Sequence, residues 1–330
     1  MKAIKGQPVA ILFALTAIGF VLCSSAEAQQ PTKIPRIGML WPDSAPSPRI
    51  EEFRQGLHDL GYKEGENVVI EYRYADGKRD KLPELAADLI RLRVDVIVAL
   101  STLAARPAKE ATKTIPIVMI SGEPIETGLV DSLARPGGNV TGLTFLSPDL
   151  VGKRLEMLRE VIPTLRGVAI LWDSEGLAKV VEFKQAQAEA PALNLRIQSL
   201  EITAQSPYLE GAFAAAIKHR AGALLTLGNP LTLEHRQKIA ELAIKSRLPS
   251  MFDSFQFVEA GGLLSYGPNF SDLYRRSATF VDKVLKGTKP SDLPVEQPTK
   301  FEFFINLKTA KQIGLTIPPN VLARANRVIK

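Results

Sequence analysis

Six strand-length apolar runs in this 330-residue chain are each followed by a short polar or aromatic segment. The segments are Trp41-Pro42-Asp43-Ser44, Ser101-Thr102, Ser121-Gly122-Glu123-Pro124, Trp172-Asp173-Ser174, Gly228-Asn229-Pro230 and Asp253-Ser254-Phe255. Their side chains suit the recognition of a small molecule. The hydroxyls of Ser44, Ser101, Thr102 and Ser121 and the amide of Asn229 can hydrogen-bond a polar or anionic head. The carboxylates of Glu123, Asp173 and Asp253 can take a ligand ammonium. Trp41, Trp172 and Phe255 can cover an apolar or aromatic body. Each loop also has a plainer reading, because Ser, Asp and Asn cap helices. For Ser101 and Thr102 the two readings are compatible: a helix N-terminus behind a small hydroxyl residue is a ready site for a carboxylate.

Catalytic arrangements are missing. The chain has no G-x-S-x-G nucleophile elbow, no G-x-x-x-x-G-K phosphate loop and no G-x-G-x-x-G dinucleotide fingerprint. His58, His219 and His235 stand far apart, with no pair at metal-ligand spacing. His58 and His219 fall late in helical stretches, where a cation complements the helix dipole. No metal, no cofactor and no enzymatic activity are expected. The sequons at Asn139 and Asn269 carry no assigned role.

The elements that position these loops alternate along the chain. Arg36–Trp41, Asn67–Tyr74, Val94–Leu100, Ile115–Ile120 and Val140–Phe145 read as strands, with amphipathic helical stripes between most of them. Val168–Trp172, Leu195–Leu200, Ala223–Leu227 and Pro249–Phe252 continue the pattern. Val94–Leu100 is apolar almost throughout, as expected of a parallel strand covered by helices on both faces. Repeated βα units imply doubly wound α/β lobes, and in open α/β sheets ligands bind outside the carboxyl ends of the strands. The six loops therefore share one expected cleft. Turn clusters at Arg135–Asn139 and Ala260–Asn269 and an aperiodic stretch at Lys289–Pro298 suggest a chain that passes between two lobes more than once. The expected lobes are 33–144 with 267–298, and 145–266 with 299–330.

Composition is that of a globular protein, 45% hydrophobic and 23% charged. Lys and Arg number 41 against 35 Asp and Glu, a net charge of +6 without a basic stripe, so no nucleic-acid partner is expected. Lys2 and Lys5, the apolar run Val9–Leu22 and Ala26-Glu27-Ala28 have the order of a cleaved secretory signal, expected to span 1–28. Cys23, the single cysteine, lies within it, and Leu22 before it argues against lipidation; with Cys23 removed in the signal, a free periplasmic protein without disulfides is expected, as a monomer.

Longer segments carry a resemblance. Phe53–Leu57 with Gly61–Asn67, Gly128–Gly142, Phe257–Pro268, Leu293–Phe301 and Asn306–Ala310 with Gly314-Leu315 resemble the substrate-binding proteins of ABC transporters, in the tryptophan-binding-like subgroup. The resemblance covers nearly the whole chain beyond residue 28. It implies a type I periplasmic-binding-protein fold, two α/β lobes joined by three crossings, with the ligand held between them and handed to a membrane permease. It matches Ser101-Thr102 to the family's small hydroxyl position. Glu123-Pro124 stands where Asp-Pro is common, Asp173 where Asn is common, and Asn229-Pro230 where Asp-Pro is usual. The expected function is capture of an amino acid or an aromatic or branched carboxylate by lobe closure. Ser101 and Thr102 would hold the carboxylate, Trp41, Trp172 and Phe255 would cover the body, and Asp173, Asn229 and Asp253 would contact from the second lobe. A ligand sensor, a periplasmic hydrolase or the ligand-binding part of a repressor are the alternatives.

Overall fold

The structure, a computed structural model, describes residues 33–44, 48–145 and 147–330. The expected signal segment 1–28 lies outside the described residues. Apolar runs become the strands of two sheets because both of their faces are covered. The first sheet takes β1 (Arg36–Trp41), β2 (Val69–Tyr74), β3 (Val96–Ala99), β4 (Ile117–Ser121) and β5 (Val140–Thr144), with α1 (Pro48–Asp59), α2 (Leu82–Arg91) and α3 (Thr102–Ala111) between the first four. Its order is β2-β1-β3-β4-β5, and every pairing is parallel.

The chain then enters a second lobe. Its elements are α4 (Ser147–Val161), β6 (Gly167–Asp173), α5 (Leu177–Glu189), β7 (Arg196–Ile202), α6 (Leu209–Lys218), β8 (Ala223–Thr226), α7 (Pro230–Glu234), α8 (Arg236–Lys245), β9 (Ser250–Phe252), α9 (Phe255–Glu259) and β10 (Leu264–Pro268). From β10 the chain returns to the first lobe as α10 (Phe270–Leu285). It crosses again to β11 (Phe301–Asn306), α11 (Leu307–Ile313), α12 (Pro319–Leu322) and β12 (Arg327–Ile329). The second sheet has the order β12-β11-β10-β9-β8-β6-β7 among the described residues. Three crossings thus join two α/β lobes. β10 and β11 pair antiparallel, alone among the pairings of the described strands. The second crossing also falls later than the expected break at 266/267. Gly267 and Pro268 still pair with Glu302 and Phe301, so the chain leaves this sheet only after Pro268.

Alternation along β1 sorts its side chains to two cores. Ile37, Met39 and Trp41 enter a cluster with Phe53 and Leu57 of α1 and Leu273, Tyr274 and Phe280 of α10. Leu40 faces α2 and α3 through Leu82, Leu89 and Ala104. Each fully buried large apolar side chain is worth about 1.5–3 kcal/mol, so this seam fastens the returning α10 to the first lobe. It needs Gly56, because a Cβ there would stand 2.4 Å from the Arg275 carbonyl oxygen. The third crossing is tied down as well. Thr144 N donates to Glu296 O at 2.9 Å, Glu296 N to Gly142 O at 2.9 Å, and Thr141 Oγ1 to Leu293 O at 2.7 Å. Among the described residues no helix is long and apolar enough to cross a membrane.

Candidate functional site

The carboxyl ends of the strands in both lobes face each other across two adjoining cavities. The first, of about 220 Å³, is walled by Leu100, Ser101, Thr102, Gly122 and Phe145 of the first lobe and by Lys179, Asn229, Asp253 and Phe257 of the second. The second, of about 680 Å³, is walled by Trp41, Asp43, Ser44 and Asp76 on one side and Glu234, Phe255, Gln256 and Glu259 on the other. Arg49 lines both.

On the first lobe the polar groups are set by α3. Ser101 is its N-cap and accepts from Ala104 N at 3.2 Å, so the capping reading holds. Capping uses only the third amide. The N–H groups of Thr102 and Leu103 have no acceptor among the described residues. They and the helix dipole leave a positive end at the cavity wall. The Thr102 hydroxyl donates to Gly122 O at 3.2 Å, tying this end to the loop after β4.

On the second lobe the wall is charged. Glu182 is buried and accepts from Arg154 Nη1 at 3.0 Å and from Lys179 Nζ. Burial alone would lower the Lys179 value, but the carboxylates of Glu182, Glu123 and Asp253 outweigh it and hold the ammonium charged. Asp253 is half-buried, with its Oδ1 shut off from solvent and without a hydrogen-bond partner among the described residues. Burial pushes its carboxyl up, with Arg154 and Lys179 pulling it back. Both of its oxygens lie 2.1 Å from where a Gly228 Cβ would stand, so glycine is required there. Asn229 caps α7 by accepting from Thr232 N at 3.0 Å. Its Nδ2 donates to Asp173 Oδ2 at 2.5 Å.

Of the residues expected at a cleft, Ser101, Thr102, Asn229 and Asp253 line the first cavity, and Trp41, Ser44 and Phe255 line the second. Four line neither. Ser121 is buried with its Oγ 3.5 Å from Met119 Sδ. Glu123 is buried beside the first cavity. Trp172 belongs to the core of the second lobe: it stacks on Phe183 with ring centroids 4.4 Å apart, and its Nε1 donates to Ser199 Oγ at 2.8 Å. That corrects its placement over a ligand. Alternation sends Trp172 to the face of Val168 and Ile170, under a helix. Trp172→Phe is accordingly expected to cost about 1–2 kcal/mol of stability, from the lost hydrogen bond and contact area, and to leave solute affinity unchanged. A urea titration beside calorimetry checks both. Asp173 is fully buried and bonds Arg79 of the first lobe, with Arg79 Nη1 3.4 Å from its Oδ1, so it joins the lobes instead of meeting the cavity.

Sequence reasoning missed the long cations. Arg49 places its guanidinium carbon 5.2 Å from the Phe270 ring centroid and 5.6 Å from that of Tyr274, and its Nη2 reaches Gln256 Oε1 of the second lobe at 3.4 Å. Beside it Asp43 is raised to about 6, chiefly by burial. Arg79, Arg154 and Lys179 sit in or beside helices, and only tertiary packing directs them inward. Among the described residues no group of three or more His, Cys, Asp or Glu could hold a metal ion.

The sequence and the fold are shared with known proteins. The family model for ABC transporter substrate binding proteins matches residues 46–329. A tyrosine-binding protein of Clostridioides difficile (strain R20291) is 27% identical over 268 residues, covering 80% of this chain and 75% of that protein. A Streptococcus pneumoniae ABC domain solved in complex with L-Trp is 26% identical at a TM-score of 0.82, covering 89% of this chain and 99% of that one. A conserved domain protein from Vibrio cholerae is 26% identical at a TM-score of 0.84, covering 90% and 100%. The ligand-free, open structure of a Clostridium difficile substrate-binding protein, 23% identical, aligns at 0.66 over 90% of this chain and 99% of that one. With a family match over most of its length and the cavity between its lobes, the chain belongs to the ABC transporter substrate-binding protein family and is a solute-binding component.

Proposed function

We propose that the chain captures an L-α-amino acid with an apolar or aromatic side chain in the first cavity. One observation carries the reading. The free amides of the α3 N-terminus, on one lobe, and Asp253, on the other, line the same cavity, and Asp253 Oδ1 has no hydrogen-bond partner among the described residues. A zwitterion satisfies both ends. Its carboxylate meets the Thr102 and Leu103 amides and the hydroxyl of Ser101, and its ammonium meets Asp253. Between them Leu100, Phe145, Phe257 and Phe270 supply apolar wall for a side chain. Because the two ends belong to different lobes, only closed lobes contact the whole ligand, so the ligand favours closure. The ligands named for the similar proteins, tyrosine and L-Trp, support this class. The protein works outside the cytoplasm, exported by the segment 1–28, and delivers its solute to a membrane permease. Trp41 and Phe255, in the second cavity, wall its approach.

A thermal-shift screen of residues 29–330 tests this. Tryptophan, tyrosine, phenylalanine and leucine are expected to raise the melting temperature, since a ligand at 100 times its Kd adds about 2.7 kcal/mol to stability. Tryptamine and 3-indolepropionate, each missing one charged end, are expected to fail, as are sugars. No shift with any amino acid, with mass spectrometry finding no co-purified one, overturns the reading. Ser101→Ala with Thr102→Ala is expected to weaken binding about tenfold, the worth of a lost hydrogen bond to a charged group. Unchanged affinity in calorimetry removes these hydroxyls from the site.

A further inference from the structure

Glu123 is used by none of the contacts above, yet the fold goes to some length to bury it. It follows β4 with a backbone φ of +47°, a left-handed conformation that costs a side-chain-bearing residue about 1–2 kcal/mol relative to glycine. Its carbonyl accepts from Thr127 N at 2.9 Å and from Thr127 Oγ1 at 2.7 Å, which fixes the turn. The turn alone needs no carboxyl. The side chain is nevertheless 3% exposed, and neither carboxylate oxygen has a hydrogen-bond partner among the described residues. The charges around it come mainly from the other lobe: Lys179 and Glu182 of α5 and Arg154 of α4, with Glu126 on its own loop. Lys179 and Arg154 both bond Glu182, and both also act on Asp253. Arg49 acts on Asp253 as well and on Asp43, so three cations are matched by Glu182, Asp253 and Asp43 before Glu123 is counted. A zwitterionic solute adds no net charge, so Glu123 is left without a counter-ion.

We infer that Glu123 is a proton-binding site of the closed cleft, so that the closed protein holds one proton together with its solute. This rests on the amino-acid reading above. A buried carboxylate without a partner is held neutral instead of charged. When the lobes part, Lys179, Glu182 and Arg154 move off with the second lobe, water reaches the carboxyl, and it ionises. Closure then takes the proton up again. The electrostatics agree, with burial the largest cause of a value raised from 4.5 to about 8. The sign follows from linkage. A group raised in the closed state favours closure at low pH, and the advantage is lost as pH rises toward about 8.

Calorimetry of the wild type with tryptophan, tyrosine, phenylalanine and leucine, at pH 7 in phosphate and in Tris, counts the protons exchanged on binding. Uptake approaching one proton is expected, with affinity falling about tenfold from pH 6 to pH 7. Glu123→Gln, which mimics the neutral acid, is expected to give a count near zero and a flat pH profile. Proton release, or a count near zero in the wild type, overturns the inference; so does an uptake that persists in Glu123→Gln. If none of the four amino acids binds, the amino-acid reading fails on its own. The proton site is then judged on ligand-free protein. The urea midpoint of the wild type must fall relative to that of Glu123→Gln between pH 5 and pH 8, and parallel curves overturn it.

Discussion

Asparagine at position 253 is expected to weaken amino-acid binding about a hundredfold or more while making the empty protein more stable at neutral pH. The two effects have one origin. Asp253 is a half-buried carboxyl whose buried Oδ1 has no hydrogen bond among the described residues, so its ionised form is costly until something cationic reaches it. A ligand ammonium is that cation, and the charge-assisted contact it makes in a desolvated cleft is worth about 3 kcal/mol. Asparagine keeps the shape that fits over Gly228 but loses the charge, so that contribution disappears from binding. In the folded protein the carboxyl is raised by burial. A raised group gives stability that is lost as pH climbs through its folded value. The neutral side chain escapes that loss. Calorimetry with the best-binding amino acid and urea titrations from pH 5 to pH 8 read both effects. Affinity within a factor of three of wild type would place the ammonium elsewhere.

How far the sequence discloses this site depends on the range of the forces involved. Strand identity is local. Val94–Leu100 is apolar almost throughout because both faces of β3 are covered, and its direction puts Ser101 and Thr102 at the cleft end. The same logic places Asn229 after β8 and Asp253 after β9. It cannot separate Trp41 from Trp172. Both end strands and both alternate toward a core, and only the partner helices differ: α10 and Tyr274 over the first, α5 and Phe183 over the second. Asp173 looked like a ligand contact because its partner, Arg79, is 94 residues away in another lobe. Lys179 and Arg154 escaped notice because a Lys or Arg in an amphipathic helix is ordinarily solvated. What turns Arg154 inward is the buried Glu182, a relation between α4 and α5 that no spacing rule encodes, while Lys179 reaches the same carboxylate from one turn away in α5. The β10–β11 pair was missed for a related reason. Its antiparallel register is set by the chain's excursion through α10, not by the residues of β11.

Arg79→Ala is expected to open the cleft and weaken solute binding about a hundredfold, although Arg79 itself does not line the first cavity. Arg79 precedes α2 in the first lobe and bonds Asp173 at the end of β6 in the second; it also stands 3.6 Å from Glu175. Asp173 is fully buried and Arg79 is 20% exposed, so solvent screens the pair little. Removing one partner of a buried pair costs about 3–5 kcal/mol because the other charge stays desolvated. Here the Glu175 amide at 3.2 Å and Asn229 at 2.5 Å still serve Asp173, which puts the cost near about 3 kcal/mol. Only the closed form bears it, since open lobes return Asp173 to water. The penalty therefore falls on the closing step, and it appears in affinity to the extent that the empty protein rests open. X-ray scattering should show the variant more expanded than the wild type at equal subsaturating solute. The double variant Arg79→Ala with Asp173→Asn separates this from a general loss of contact. With the stranded charge gone, it should bind better than Arg79→Ala alone. If the two substitutions instead add, the pair is ordinary surface chemistry and the lobes are held shut by the ligand and the apolar walls.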